Sequence, residues 1–576
     1  MERRVLLSIF LAFLVLYVWQ ALFVKPVPKP AGASAPPAAT GAVAPGAEAA
    51  TPAPAAPKAA PQVPAEPAAA TVVGETSERD VRVETRDVLA VFTNRGARIK
   101  SWRLKHFLDP AKQPLELVAT ALADSHPLPF SLKTPDDRTT ATINAALYRV
   151  TEAPAASTES AVDLRFEYRD SAGIRVSKQF HLDPSGYVIG FGASVSSGER
   201  AQPVTIEWGP AVGDISAASR YITAPEGLTF ANGSVQRLAP KDIAKQATYD
   251  GDFRYAGVDD HYFITVALLP GPSKISYQPV GVAPPPNTKE QPRTLVAYSL
   301  EPSKSDGLRF FFGPKDFDVL AAIDRDLVRA IDFGWFSVLV VPLLRSLKWV
   351  NGYVGNYGWS IVILTIMINA IMFPLRHKSV VSMRKMQEIQ PEVKAIQDRY
   401  AKLKTTDPAK QKMNQELMTL YKERGVNPAS GCVPMLLTFP VLYAFYALLS
   451  KSIELRGAPF GFWIHDLSMP DPLFITPVLM GVSQLWMQRM TPTPAGSDPA
   501  QQKMMMFMPV MFTFFFLWAP AGLAIYYAVS NIWGIGQQYL TNYMIGPPNI
   551  RSPRPAAERR MKRVGGGKTD AAAKES

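Results

Sequence analysis

The stretch WSIVILTIMINAIMFPLRHK, from Trp359 to Lys378, is the most informative part of the chain. Most of it is apolar enough to lie in hydrocarbon, but Thr365 and Asn369 interrupt it four residues apart, and Arg376 follows seven residues later. A helix places these three side chains on one face. A polar group buried without a hydrogen bond costs roughly 2–7 kcal/mol. The three side chains are therefore expected to face other helices or a wet cavity.

Apolar runs elsewhere in the chain predict further membrane spans. Hydrophobic residues make up 47% of the 576 residues, and they are concentrated in runs. The run from Val5 to Val24 has the roughly 20 residues that a spanning helix needs. Lys25-Pro26 follows directly instead of a small-residue cleavage site, so residues 1–25 are predicted to form an uncleaved transmembrane anchor. Five later runs bring the predicted total to six spans: Gly355–Leu375, Val433–Ser450, Pro472–Gln488, Met504–Trp518 and Leu523–Tyr539.

The placement of charge predicts the orientation. The formal net charge is +12. Residues 376–424 carry twelve Lys and Arg against six Asp and Glu, residues 551–576 carry eight against three, and residues 5–375 are neutral overall. The positive-inside rule assigns the basic segments, and with them both termini, to the cytoplasm. The basic segments can anchor the topology on anionic phospholipids or dock an anionic partner such as ribosomal RNA, and composition does not separate these two roles. No sequence-specific nucleic-acid binding is predicted.

Composition divides the chain into domains. Residues 26–74 are rich in Pro and Ala and predict an extended periplasmic linker. Residues 75–318 contain short alternating runs such as AVDLRFEYRD and GYVIGFGASVSS, which are typical of antiparallel strands in a periplasmic β-sandwich. Residues 319–354 predict an interfacial amphipathic helix region. Residues 355–545 predict a helical membrane core with a cytoplasmic helical hairpin at 379–424, and residues 546–576 a basic cytoplasmic tail. The predicted fold is thus a polytopic α-helical membrane protein with an all-β sandwich domain.

Catalytic chemistry is not indicated. The six histidines have no metal-ligand spacing, Cys432 is the single cysteine, and a Gly-rich phosphate loop, HExxH and GxSxG are absent from the sequence. No enzyme activity, cofactor, metal site or catalytic residue is therefore predicted. The other spans contribute polar side chains that include Thr438, Tyr526 and Tyr527. These side chains either hydrogen-bond between packed helices or line a water-filled cavity.

The region from Trp335 to about Met544 resembles the core of the YidC/Oxa family of membrane protein insertases. The resemblance is carried by LKWVNGYVGNYGWSIVILTI, MRKMQEIQPEVKAIQDRY, NQELMTLYKERGVNPASGCVPML, PFGFWIHDLSMPDP and MPVMFTFFFLWAPAGLAIYYAVSN. The anchor, linker and large β domain before this core resemble the Gram-negative form of the family. The resemblance implies a bacterial inner-membrane insertase whose five core helices enclose a hydrophilic groove, open to the cytoplasm and to lipid. Nascent membrane proteins would be its substrates, with or without the Sec translocon.

The resemblance also implies which residues line the groove. Thr365 matches the groove threonine of the family, and Tyr526 and Tyr527 match its tyrosine pair. Asn369 stands where the family normally carries an arginine. Our hypothesis is that Arg376, two turns nearer the cytoplasm on the same face, supplies the charge, while Asn369 keeps the cavity polar. The alternative is that a wet groove suffices without a fixed charge.

Two other classes of function fit parts of the sequence. A transporter or channel would use the polar residues to line a path that opens to both sides, and would favour internal repeats, which these spans do not show. A carbohydrate-binding protein would act through the β-sandwich, and tight sugar binding by that domain would favour it.

Overall fold

The structure is a computed structural model that describes residues 70–546, apart from 110, 153–159, 185, 213–222, 270, 283–292, 401–408, 427–432 and 491–498. The predicted anchor, the predicted linker up to residue 69 and the predicted tail beyond residue 546 lie outside the described residues. The first half of the described chain is rich in β-strands, and the second half is helical. This confirms the predicted order of a β domain followed by a helical region.

Twenty strands are described between Thr71 and Pro314. They are β1 Thr71–Val73, β2 Asp80–Glu84, β3 Val88–Thr93, β4 Arg98–Leu108, β5 Pro114–Glu116, β6 Ser131–Lys133, β7 Arg149–Glu152, β8 Val162–Asp170, β9 Ile174–Leu182, β10 Val188–Ser197, β11 Arg200–Gln202, β12 Thr205–Ala211, β13 Glu226–Ala231, β14 Ser234–Leu238, β15 Thr248–Asp252, β16 Tyr255–Asp259, β17 Phe263–Leu268, β18 Pro272–Val282, β19 Arg293–Pro302 and β20 Leu308–Pro314. Two short helices, α1 Asp137–Ala145 and α2 Pro240–Ile243, lie among them.

The strands form three antiparallel sheets. The largest has the order β1-β8-β9-β10-β20-β17-β16-β13-β14, with β7 beside β8 and β11 beside β10, and the others have the orders β15-β18-β19-β12-β6 and β2-β3-β4-β5. Trp208 of β12 stacks on Phe310 of β20 with 5.4 Å between ring centroids, which joins the two larger sheets face to face. Trp102 of β4 stacks on Phe312 of β20 with 5.4 Å between ring centroids, so the third sheet packs against the largest one. The shared core is therefore aromatic.

Lys178 is fully buried in this core, and its ammonium group has three backbone acceptors. Nζ donates to the carbonyl oxygens of Gly96 at 2.6 Å, Phe130 at 2.8 Å and Ala97 at 3.1 Å. Ala97 has a left-handed φ of 48°, which a residue with a Cβ rarely adopts. The turn before β4 therefore depends on a long-range contact with β9.

Replacing Lys178 by methionine should destabilise the β domain by about 3 kcal/mol or more, because each buried carbonyl left without a donor costs roughly 1–3 kcal/mol. Urea unfolding followed by tryptophan fluorescence measures the change. Lys133→Met, at an exposed position in β6, is the matched control and should have little effect. An equal loss of stability in both variants would contradict the role of the three carbonyls.

Nine helices are described after the strands: α3 Phe317–Ile323, α4 Ser337–Val354, α5 Tyr357–Glu388, α6 Gln390–Arg399, α7 Ala409–Glu423, α8 Val433–Lys451, α9 Ile475–Met490, α10 Pro499–Phe516 and α11 Ala521–Ile545. Short 3-10 turns occupy Thr120–Leu122, Leu327–Ala330, Gly334–Phe336 and Ile453–Leu455. Among the described residues, α5 is the one helix both long and apolar enough to span a membrane, and shorter apolar segments lie at Phe439–Lys451 and Met506–Phe516.

The helix that contains Trp359–Lys378 extends beyond the predicted span, into the predicted hairpin of residues 379–424. Helix α5 continues through Pro374 to Glu388, so Trp359–Lys378 and the first ten residues of the predicted hairpin, 379–388, form one helix. Pro374 removes a single backbone donor, and the helix continues past it with its sides packed on other helices. The break comes at Ile389, the residue before α6 begins at Gln390. Pro391 lies in the first turn of α6, where a proline fits without losing a hydrogen bond.

An ionic cluster joins the β domain to the helical region. Lys348 of α4 lies 2.5 Å from Asp318, 3.4 Å from Asp316 and 3.3 Å from Glu454, which follows α8. Burial disfavours the charge on Lys348, but the carboxylates of Asp318, Glu454 and Asp316 outweigh it and raise its pKa. Lys451, at the end of α8 and three residues before Glu454, forms a second ion pair, with Asp332 at 3.3 Å. The β domain therefore rests on the helices through specific charged contacts.

His261 is a second link at this junction. Its Nε2 lies 2.8 Å from the Ser450 carbonyl oxygen and its Nδ1 lies 3.2 Å from the backbone nitrogen of Thr223. These partners fit a neutral imidazole that donates from Nε2 and accepts at Nδ1. Burial, together with the nearby charges of Lys315 and Lys451, lowers the pKa of His261 to about 4.

This depressed pKa predicts acid sensitivity of the junction. Neutral His261 contributes about 3 kcal/mol to the free energy of unfolding. This contribution is fully present above the unfolded-state pKa of about 6.5 and is lost as the pH falls to about 4. The free energy of unfolding, measured from pH 7 to pH 4, should decrease more in the unaltered protein than in His261→Gln. His181→Gln, at an exposed histidine beside Asp163, is the control. Parallel pH profiles for the unaltered protein and His261→Gln would contradict this prediction.

Candidate functional site

The polar residues of α5 have their hydrogen bonds satisfied within the protein. Thr365 is fully buried, and its Oγ1 donates to the Ile361 carbonyl oxygen of its own helix at 2.6 Å. Asn369 is also buried; its Nδ2 donates to the Thr365 carbonyl oxygen at 2.8 Å and lies 3.3 Å from Ser530 Oγ on α11. Asn369 therefore links α5 to α11, and these hydrogen bonds offset the free-energy cost of burying an amide in an apolar stretch.

Arg376 reaches back along α5 to Asn369. Its Nη1 donates to Asn369 Oδ1 at 2.8 Å, across the two helical turns that separate the residues. The amide of Asn369 is thus used on both sides, with its nitrogen as donor and its oxygen as acceptor. The guanidinium has five N–H donors, so this bond orients the group and leaves others for a further acceptor. The structure therefore brings the cation to the position of Asn369.

The two tyrosines follow on α11. Tyr526 is buried; its hydroxyl hydrogen-bonds to Ser530, and its ring stacks on Phe445 of α8 with 4.4 Å between centroids. Tyr527 is half-buried and meets Phe516 of α10 edge to face at 5.0 Å. Helix α11 therefore stands between α5, α8 and α10, and its polar groups meet those of α5.

The sequence-predicted residues are thus largely collected in one place. Thr365, Asn369, Arg376 and Tyr526 belong to one chain of neighbours through Ser530, and Tyr527 lies next to it. Thr438 lies in α8, but its side chain is outside the described residues. The groove residues predicted from the sequence do not include Ser530 or Phe445, whose roles depend on contacts between helices distant in sequence. No group of three His, Cys, Asp or Glu side chains suited to a metal ion occurs in the described part of the chain.

Two family models match the chain. The model described as YidC periplasmic domain matches residues 80–346, and the model described as 60Kd inner membrane protein matches residues 349–547. The membrane protein insertase YidC of Geobacter metallireducens is 35% identical over 556 residues, which cover 95% of this chain and 99% of the relative. The chain belongs to the YidC family of membrane protein insertases. The predicted family resemblance is confirmed, and the family is one of insertases and not of enzymes.

Another YidC relative and a solved YidC structure also match the chain. The YidC insertase of Pelobacter propionicus is 35% identical over 580 residues, which cover 95% of this chain and 100% of the relative. A crystal structure of an active YidC insertase with its first transmembrane domain resolved is 19% identical and covers 83% of this chain, with a TM-score of 0.34. The β domain described above corresponds to the region matched as the YidC periplasmic domain.

Proposed function

We propose that this chain inserts membrane proteins through a polar groove lined by α5, α8 and α11, in which Arg376 supplies the positive charge. Insertion itself follows from membership of the YidC family. The observation that supports the finer proposal is the 2.8 Å hydrogen bond from Arg376 Nη1 to Asn369 Oδ1. It brings a cation to the position at which the family resemblance expects an arginine.

A groove lowers the barrier that a substrate faces. The polar tail of a nascent membrane protein is costly to move through hydrocarbon, since each unpaired polar group costs several kcal/mol there. A wet cavity that reaches partway across shortens the apolar path. The substrate's apolar segment then enters lipid, which contributes roughly 25 cal/mol per Å² of apolar surface removed from water. The membrane potential adds up to about 2.3 kcal/mol per charge per 100 mV. Nucleotide hydrolysis is not required by this scheme.

Arg376 would act on acidic tails. A guanidinium binds a carboxylate through two parallel N–H donors, and Asn369 holds one edge of the group in place. Arg376 is half-buried, so its charge is screened less than that of a surface residue. The groove would therefore favour substrates whose translocated tail carries Asp or Glu.

The topology and the partners belong to the same proposal. We infer six spans with both termini in the cytoplasm, from the apolar runs and the placement of Lys and Arg. Two ion pairs hold the hairpin of α6 and α7 together, Arg424–Glu392 at 2.7 Å and Arg399–Glu416 at 3.4 Å. The two helices therefore form a paired unit. Nascent membrane proteins are the proposed substrates. The proposed partners are the Sec translocon, the ribosome at the hairpin and tail, and anionic phospholipids.

Insertion into proteoliposomes tests the role of Arg376. Two versions of a small Sec-independent substrate are compared, one with an acidic tail and one with a neutral tail. Arg376→Ala should lower insertion of the acidic version by about tenfold, since losing roughly 1.4 kcal/mol is a factor of ten, and should spare the neutral version. Asn369→Ala should have a smaller effect, because the cation stays but is no longer held. Adding Asn369→Arg to Arg376→Ala should restore the acidic substrate.

Lys378→Ala is the matched control, because it removes an exposed charge two residues from Arg376. Equal losses for both substrate versions, or for Lys378→Ala, would contradict a specific role for Arg376. No effect of any variant would favour a wet groove without a fixed charge. Failure of the unaltered protein to insert either version would indicate dependence on the Sec translocon or a transporter.

A further inference from the structure

Helices α5 and α11 are joined by polar contacts at three levels. Asn369 meets Ser530 at 3.3 Å, His377 Nδ1 lies 3.1 Å from Thr541 Oγ1, and Arg384 lies at the cytoplasmic end. Residue numbers rise together on both helices, so α5 and α11 run parallel. The α5 residues of these contacts are seven to eight positions apart, which places them on one side of the helix. The last contact involves a charged side chain with two donor nitrogens.

Both terminal nitrogens of Arg384 hydrogen-bond to the C-terminal end of α11. Nη1 donates to the Gly546 carbonyl oxygen at 2.8 Å and Nη2 donates to Asn542 Oδ1 at 3.0 Å. Gln538 Nε2 donates to the same Asn542 oxygen at 3.2 Å and so fixes the acceptor. Gly546 caps α11 with a φ of 77°, a conformation that favours glycine. The carbonyl end of a helix carries partial negative charge, which a guanidinium complements.

We propose that Arg384 is a positioning residue for insertion, which clamps the base of the cytoplasmic hairpin to the end of α11. The clamp lies two turns beyond Arg376 on a helix that continues unbroken from the groove face to Glu388. It therefore sets how far α5 and α11 separate at the cytoplasmic mouth, and where the chain leaves α11 relative to the hairpin. This inference rests on the proposed groove, because the mouth it describes belongs to that groove.

The effect of the clamp differs from that of a groove charge. Arg384 donates both terminal nitrogens within the protein, so it does not need to meet the substrate. Loss of the clamp should reduce insertion of acidic and neutral substrates alike. Lysine should rescue only in part, since a single ammonium lacks the planar fork that reaches two acceptors.

Two readouts on the full-length protein test the clamp. Spin labels are placed in a Cys432→Ser background at Lys394 of α6 and at Tyr543 of α11, which are both exposed. The distance distribution between the labels is measured by pulsed electron resonance in lipid nanodiscs, and insertion is measured in proteoliposomes. Lys385→Ala is the matched control, because it removes an exposed cation adjacent to Arg384.

Arg384→Ala should broaden the distance distribution and lower insertion of both substrate versions by about fivefold or more, because misplacement by roughly 1 Å can cost far more than that. Arg384→Lys should lie between, and Asn542→Ala should add little to Arg384→Ala. An unchanged distribution in Arg384→Ala, unchanged insertion, or an equal effect of Lys385→Ala would overturn the proposal. The distance measurement needs no insertion activity, so it decides the clamp even if the proposed groove fails.

Discussion

Polar groups on a helix that crosses hydrocarbon need partners within the protein, and the helical region is organised around this constraint. Helix α5 carries Thr365, Asn369 and Arg376 on one face, and α11 supplies Ser530 opposite them. Thr365 is satisfied within its own helix, whereas Asn369 has a partner in its own helix and further partners in Ser530 of α11 and in Arg376. The parallel pairing of α5 and α11 therefore supplies a partner from a second helix to a buried amide. The same pairing continues to the C-terminal ends of both helices.

The role proposed for Arg376 has a consequence for substrate choice. An arginine within the apolar stretch would need its own partner, and its insertion would be costly. In the proposed topology Arg376 lies two turns nearer the cytoplasm, where it would keep access to water. Its hydrogen bond to Asn369 would hold the guanidinium toward the proposed groove. Such an arrangement would present a positive charge to a substrate without the free-energy cost of burying a cation in the middle of the membrane. The β domain, held by the Lys348 cluster and His261, rests on the other end of the helices.

The sequence predicts the parts of the structure that depend on local pattern. In β8, Leu164 and Phe166 are buried while Arg165 is exposed, as the alternation of AVDLRFEYRD indicates. Helical spacing likewise placed Asn369 and Arg376 on one face, and the structure brings their side chains into contact. What the sequence did not predict depends on contacts between distant segments. The continuation of α5 past Pro374 needs the packing of neighbouring helices, and the Lys178 and Arg384 contacts join residues far apart in sequence.

The central claim is that the polar face of α5 and α11 lines a cavity open to the cytoplasm alone. Single cysteines at Asn369, Ser530 and the exposed, apolar Ile371, each in a Cys432→Ser background, can be tested with a membrane-impermeant maleimide applied to either side of sealed vesicles. The account predicts labelling at positions 369 and 530 from the cytoplasmic side only, and no labelling at position 371 from either side. Protection of positions 369 and 530 from both sides would mean that these residues only join helices. Labelling from both sides would mean a path across the membrane, which contradicts an insertase groove.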